Sequence, residues 1–311
     1  MAVMVSVYCL AYNHGKYIKD ALEGFVNQIT DFEYEVFVHD DASTDNTAEV
    51  ILEYARKYPD IIKPIIQTEN KYSQGISIFY NYIFPRMSGK YIAACEGDDY
   101  WCERDKLQKQ IDFLERNEDY VACAHDSIIL DHRKDDKILF SSRKKSGQVS
   151  MREIIDWKCI FQSASLVYRR RMREIPQLRS INGMGDYSFA LQLGECGKIY
   201  YMKEPMSVYR VNVEGSWSMR NSDRNRNAYT MIEILEEFDN LSAGKYRRLI
   251  QRKEDELNIG IYYRENDLEQ LKKMGSVRIA HSGNIKLAVS IFMQSHCRWL
   301  FLKLRKIIRK V

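Results

Sequence analysis

The chain has 311 residues, 45% of them apolar and 29% charged, with 5 Pro and 15 Gly. This is the composition of a folded protein with room for about two domains, and it excludes a disordered or low-complexity chain. The net charge of +4 hides an asymmetry: residues 270–311 carry ten Lys or Arg and no acid, while the first 269 residues sum to −6.

The start, MAVMVSVYCLAYNHG, is apolar but has no basic leader and no small-residue cleavage site, so a buried strand is expected there and not a secretory signal. No stretch approaches 18 uncharged apolar residues, and no membrane-spanning helix is expected. The seven Cys are scattered without a CxxC pair, which fits small core residues in a reduced, cytoplasmic compartment.

In chain order, residues 3–10 form a β-branched run, and Ile18, Ala21, Leu22, Phe25 and Val26 follow at helical spacing. A strand at 34–39 ends in Asp40 and Asp41. Val50, Ile51, Tyr54 and Ala55 mark a helix, residues 61–67 a strand and 76–84 a helix. A strand at 91–95 runs into Glu96-Gly97-Asp98-Asp99, then come a helix at 107–114 and a strand at 121–130. This alternation predicts an α/β fold, Rossmann-like, with a mostly parallel sheet flanked by helices. Ligands then sit beyond the carboxyl ends of the strands, where both aspartate pairs lie. Residues 131–147 read as an exposed excursion, 151–157 as a short helix, and 163–168 and 199–202 as strands. Beyond about 222 only helical signals remain, so residues 1–220 are expected to form the catalytic domain and 221–311 a helical C-terminal region.

Five places could carry chemistry. Asp98 and Asp99 end a buried strand, where two carboxylates call for a cation such as Mg2+ or Mn2+ on a diphosphate, although a solvated, helix-capping turn would look similar. Asp40 and Asp41 precede Ser43, Thr44 and Asp45; capping explains the latter three, with Ser43 or Thr44 as N-cap, but not the two carboxylates, for which a base or ribose hydroxyl is a partner. Tyr12, in AYNHGKYI, offers an aromatic face for a nucleobase or sits in an ordinary strand-to-helix turn. Asp186, in NGMGDYSFALQL, is a helix cap or a base. Arg210 binds a phosphate or forms a strand-edge ion pair. There is no GxxxxGK[ST], GxSxG or HExxH, and His296-Cys297 has no zinc-site partner spacing.

In order and spacing, VSVYCLAYNHGKYI, EVFVHDDASTDNT, ENKYSQG with Asn81, GKYIAACEGDDYW with KLQKQ, and MGDYSFALQLGECGKIYYMKEPMSVYRVNVEGSWS resemble the family-2 glycosyltransferases of the GT-A fold, bacterial surface-polysaccharide type. The resemblance covers about residues 1–220. It implies an inverting transferase moving a sugar from a nucleotide-sugar, UDP-linked, to a saccharide acceptor, in one displacement with an Asp base and Mn2+ or Mg2+ as cofactor. Tyr12 would stack on the nucleobase, Asp41 would hold its ring nitrogen, Asp98 would face the ribose and Asp99 the metal. Asp186 would be the base, Trp101 would line the acceptor or sugar side, and Arg210 would close over the diphosphate. Asn212 stands where relatives often have a His that touches metal or diphosphate. Two rivals are a decayed GT-A domain acting as a membrane-associated binding or scaffolding protein, and a nucleotidyltransferase, for which AYNHGKY is a poor phosphate loop.

At the C-terminal end, Leu300, Leu304, Ile307, Ile308 and Val311 share one helical face, with Lys303, Arg305, Lys306, Arg309 and Lys310 around the rest. This amphipathic pattern predicts a helix on an anionic membrane surface, placing the protein peripherally on the inner face of the cell membrane near a lipid-linked acceptor. A helix docked on the protein's own body also accounts for the apolar face. Nucleic acid is not an expected partner.

Overall fold

The computed structural model describes residues 2–131, 136–157, 161–173, 178, 184–213, 223–281, 288–289 and 291–292. The first strands alternate with helices as the pattern predicts: β1 (Val5–Ala11), α1 (Ile18–Val26), β2 (Tyr34–Asp40), α2 (Thr47–Lys57), β3 (Ile62–Ile66) and β4 (Tyr91–Ala94). Between β3 and β4 the expected helix is broken into a π turn at Phe79–Ile83 and a 3-10 turn at Phe84–Arg86, because Pro85 cannot donate into a continuing ladder. There follow β5 (Tyr100–Trp101), α3 (Lys106–Arg116), β6 (Tyr120–Asp131), β7 (Asp136–Leu139), β8 (Gly147–Val149) and α4 (Met151–Asp156). Then come β9 (Val167–Arg169), α5 (Gly185–Cys196) and the long β10 (Lys198–Val211).

These strands make one sheet in the order β3-β2-β1-β4-β9-β6-β10-β5, with β7 added to β6 and β8 to β10. The β3-β2-β1-β4 half is parallel, as is β6 with β10. β9 enters antiparallel to both β4 and β6, and β5 pairs antiparallel with β10. The excursion at 131–147 thus contributes an edge strand, and the expected strand at 163–168 is split into a 3-10 turn at Ser163–Ser165 and β9. The core is built from Val5, Val7 and Cys9 of β1, Ile18, Leu22 and Phe25 of α1, and Leu107, Ile111 and Leu114 of α3, all at most 2% exposed.

Two compact units divide the chain: residues 1–177 with 192–220, and 178–191 with 221–311. The second unit holds α6 (Arg224–Leu241), α7 (Arg247–Arg264), α8 (Leu268–Met274) and α9 (Ser276–His281). The segment 178–191, expected within the N-terminal domain, groups with these helices. Among the described residues no helix is long and apolar enough to cross a membrane. The basic tail beyond residue 292 lies outside the described residues.

Candidate active site

The carboxyl ends of β1, β2 and β4 meet in a set of interlocked loops. After β1, Asn13 takes a left-handed backbone (φ 57°), a conformation that Asn tolerates better than most residues. Its N–H donates to Ser43 Oγ (2.9 Å), and its side-chain oxygen accepts the Thr44 N–H (2.8 Å). Ser43 also donates to Asp40, so Ser43 and Thr44 brace the loop and do not cap α2. Asp45 does serve the helix start, accepting the Thr47 N–H at 3.0 Å. Tyr12 stands beside this brace with 42% of its surface exposed.

Asp41 is only 5% exposed. Its two carboxylate oxygens accept the N–H groups of Lys71 (2.8 Å) and Tyr72 (3.0 Å), while its own N–H donates to Ala11 O (3.0 Å). Asp41 therefore ties the loop after β3 to the end of β1, with Tyr72 left exposed. The neighbouring Ala42 is held left-handed (φ 62°), a cost of about 1–2 kcal/mol for a residue with a Cβ, met by these surrounding bonds.

After β4 the chain must pass close to β1. A Cβ on Gly97 would lie 2.8 Å from His14 Nδ1 and 3.2 Å from Ala11 Cβ, so any larger residue just before Asp98 would force the His14 ring to shift. The two aspartates then differ. Asp98 is half-buried, and its carboxylate accepts no hydrogen bond among the described residues. Asp99 is 2% exposed, with Oδ1 accepting the Arg210 N–H and Oδ2 accepting the Gln162 amide, each at 2.8 Å. Burial, helped by the Asp98 charge, holds the Asp99 carboxyl well above the usual carboxylate range, with Arg210 and Gln162 opposing.

Arg210 is brought here by register. Ser207 and Val208 of β10 pair with Trp101 and Tyr100 of β5, so Arg210 lies alongside the aspartate turn. Its guanidinium donates to Asp98 O (2.9 Å) and to the Asp20 carboxylate, between the rings of Tyr17 (5.2 Å) and Tyr100 (4.6 Å). This clamps the aspartate turn and matches the ion-pair alternative expected for Arg210. Asn212 is likewise engaged: its backbone is left-handed (φ 60°) and its side chain donates to Asp131 Oδ1 at 2.8 Å.

Trp101, expected on the acceptor or sugar side, belongs to the core. Alternation along β5 turns it inward while Tyr100 faces Arg210. Its ring is 3% exposed, meets Phe25 edge-on at 5.0 Å and donates its indole N–H to Ala164 O at 2.9 Å. Beneath it lies Lys106, fully buried, with its ammonium 4.1 Å from the indole centroid and 2.8 Å from Gln110 Oε1. Burial pushes the Lys106 ammonium down to about 7. Asp186 is exposed in the first turn of α5, past the N-cap position, where a carboxylate meets the positive end of the helix dipole. It belongs to the second compact unit.

The site thus brings together Tyr12, Asp41, Asp98, Asp99 and Arg210. Sequence reading missed Gln162, Asp20, Tyr17 and Tyr100. It also missed that Lys106 and Gln110 are buried, although their spacing on the apolar face of α3, beside Leu107, Ile111 and Leu114, is a legible signal. Among the described residues there is no group of three or more His, Cys, Asp or Glu able to hold a metal by themselves.

The sheet is mixed α/β and gathers carboxylates and an aromatic ring at its carboxyl edge. Residues 6–174 match the family model described as glycosyl transferase family 2, and the chain belongs to that family. An uncharacterized protein of Mycobacterium tuberculosis is 34% identical over 227 residues, 71% of this chain and 63% of that protein, so the chain spans less than two thirds of that relative. Among solved structures, S. aureus TarS (residues 1–349) in complex with UDP-GlcNAc is similar with TM-score 0.63 at 18% identity, over 93% of this chain and 90% of that one. The mannosyltransferase PcManGT of Pyrobaculum calidifontis, in complex with GDP-Man and Mn2+, is similar with TM-score 0.56 at 17% identity, over 96% of this chain and 76% of that one.

Proposed function

We propose that the chain is an inverting glycosyltransferase. It moves a sugar from a UDP-linked donor to an acceptor hydroxyl during assembly of a bacterial surface polysaccharide. The observation that carries this reading is the Asp98-Asp99 turn, clamped by Arg210 on one side and Gln162 on the other, with the Asp98 carboxylate accepting no hydrogen bond among the described residues. Tyr12 gives a nucleobase an exposed face to stack on, and Asp41, through its hold on the loop at 71–72, would position that loop beside the base.

The donor set fits a hard divalent cation, Mn2+ or Mg2+, of the kind usually held by one or two carboxylates together with substrate phosphates, for which no larger protein cage is needed. The Asp98 carboxylate would hold it. Asp99, whose oxygens already accept two protein hydrogen bonds, keeps the turn in place, so the metal role expected of Asp99 passes to Asp98. When bound, such a cation supplies charge stabilisation to the departing diphosphate. Asp186 accepts the proton of the acceptor hydroxyl, and one base of this kind serves a single displacement with inversion. The basic amphipathic tail holds the protein on the anionic inner face of the cell membrane, next to a lipid-linked saccharide acceptor.

A thermal-shift screen of nucleotide-sugars with Mn2+ tests the donor class, because a ligand that binds the native state raises its apparent stability. UDP-sugars should raise the midpoint and adenine nucleotides should not. Equal shifts with every nucleotide, or none with any, contradict the reading.

A further inference from the structure

We propose that Gln162 is a positioning residue for the donor site: its side-chain amide fixes the buried Asp99 carboxylate, and so sets the Asp98 carboxylate where a diphosphate-bound cation is held. The inference rests on the donor-binding reading given above. Neither Asp99 oxygen faces solvent; one is taken by the backbone of β10 and the other by Gln162 Nε2 at 2.8 Å. A backbone N–H is fixed by its strand. The side-chain donor must be fixed by something else, and the structure supplies it.

Gln162 precedes the 3-10 turn Ser163–Ser165, and that turn is bolted down at every residue beyond Ser163. Ala164 O accepts the Trp101 indole N–H at 2.9 Å. Ser165 O accepts Gln110 Nε2 at 2.9 Å, and Ser165 Oγ donates to Gln162 O at 2.6 Å. Gln110 is in turn oriented by Lys106, whose Nζ donates to Gln110 Oε1, and by a second bond from its amide to Cys123 O at 2.9 Å. Asp99, Lys106, Gln110, Gln162 and Ser165, all fully or nearly buried, are therefore linked from the interior of α3 to the aspartate turn, in part through the backbone carbonyls of Ser165 and Gln162. Core positions filled with polar groups are costly unless every bond is made, and here almost all are. The exception is Gln162 Oε1, which is buried with no partner among the described residues, so the bond seen for this amide is the one its N–H makes to Asp99. An apolar residue would fill the same space with no such orphan. What it could not do is donate to Asp99.

The test is calorimetric titration of UDP in Mn2+, and again in EDTA, into the full chain and its variants, beside thermal unfolding of each. Gln162→Met keeps the volume and removes the donor. It should fold with a midpoint within a few degrees of wild type, bind UDP at least tenfold more weakly in Mn2+, and lose most of the gain that Mn2+ gives over EDTA. Gln162→His, which can still donate an N–H, should recover most of that gain. A purely structural residue would lower the midpoint in both variants and leave the Mn2+ gain intact. If Gln162→Met does not fold, Ser165→Ala decides, since it frees the same turn by one bond; roughly threefold weaker binding is expected. A folded Gln162→Met, or failing that Ser165→Ala, that binds UDP as wild type does overturns the inference alone. A wild type that binds no UDP overturns the donor reading, and the inference falls with it.

Discussion

Replacing Asp98 with Ala removes a carboxylate that bonds to nothing else among the described residues, so the fold should be unaffected while the Mn2+ enhancement of nucleotide binding disappears. Asp99→Ala should act differently. It leaves the Arg210 N–H and the Gln162 amide buried without an acceptor, a loss of about 1–3 kcal/mol for each unsatisfied group. Urea unfolding separates the two: a lowered midpoint for Asp99→Ala only is expected, and equal midpoints would contradict the division of roles. Asp186→Asn keeps size and polarity at an exposed position, so stability should hold while turnover falls roughly 10²–10⁴-fold, the usual worth of a positioned proton acceptor. Near-native turnover would remove Asp186 from the mechanism. At this scale the sequence showed where the carboxylates cluster but not which are spoken for. Asp98 and Asp99 are identical letters, and their difference comes from β10 and residue 162, more than 60 positions away. Trp101 was misread for a related reason: a two-residue strand gives no periodicity from which to tell the inward face from the outward one.

Among the elements, α3 carries the least ordinary feature, a lysine on its apolar face. Because burial lowers the folded-state value of Lys106 to about 7, the native state releases its proton while the unfolded chain keeps it up to about 10.4. Stability therefore rises with pH across the window from about 7 to 10.4, by up to about 1.4 kcal/mol per pH unit, and gains nothing from this group below that window. Lys106→Met should flatten that slope in denaturant titrations at pH 7, 8 and 9; an unchanged slope would assign it to another group. Helix α6 depends on its cap, since Asp223 Oδ1 accepts the N–H groups of Asn225 (2.9 Å) and Arg226 (3.1 Å). Asp223→Ala should cost about 1 kcal/mol, read as a lowered thermal midpoint. The elements were largely legible in the sequence, because β1, α1, β2, α2, β4, α3 and β6 each carry their own period. The antiparallel insertion of β9 was not, since its three residues, Val167–Arg169, are too few to show one. Nor was the full length of β10, whose Pro205 and charged residues mask a strand of 14 residues that delivers Arg210 to the site.

For the whole molecule, the acid-free stretch from residue 270 onward bears on location, and vesicle sedimentation tests it. Full-length protein should pellet with anionic vesicles and less so at high salt, because screening weakens surface attraction. A chain ending at Gly283 should stay in the supernatant, and equal partitioning of the two would return the tail to a packing role. The division into two units places Asp41, Asp98, Asp99 and Arg210 in one and Asp186 in the other. The central claim, donor cleavage at the Asp98 edge of the sheet, is tested most directly by release of UDP from UDP-sugars with Mn2+ and an acceptor-rich membrane extract. Wild type should release UDP from one UDP-sugar well above the others, EDTA or Asp98→Ala should abolish the release, and Asp186→Asn should slow it while still binding UDP. Release that persists in both EDTA and Asp98→Ala, or a wild type that turns over no nucleotide-sugar, would contradict the account.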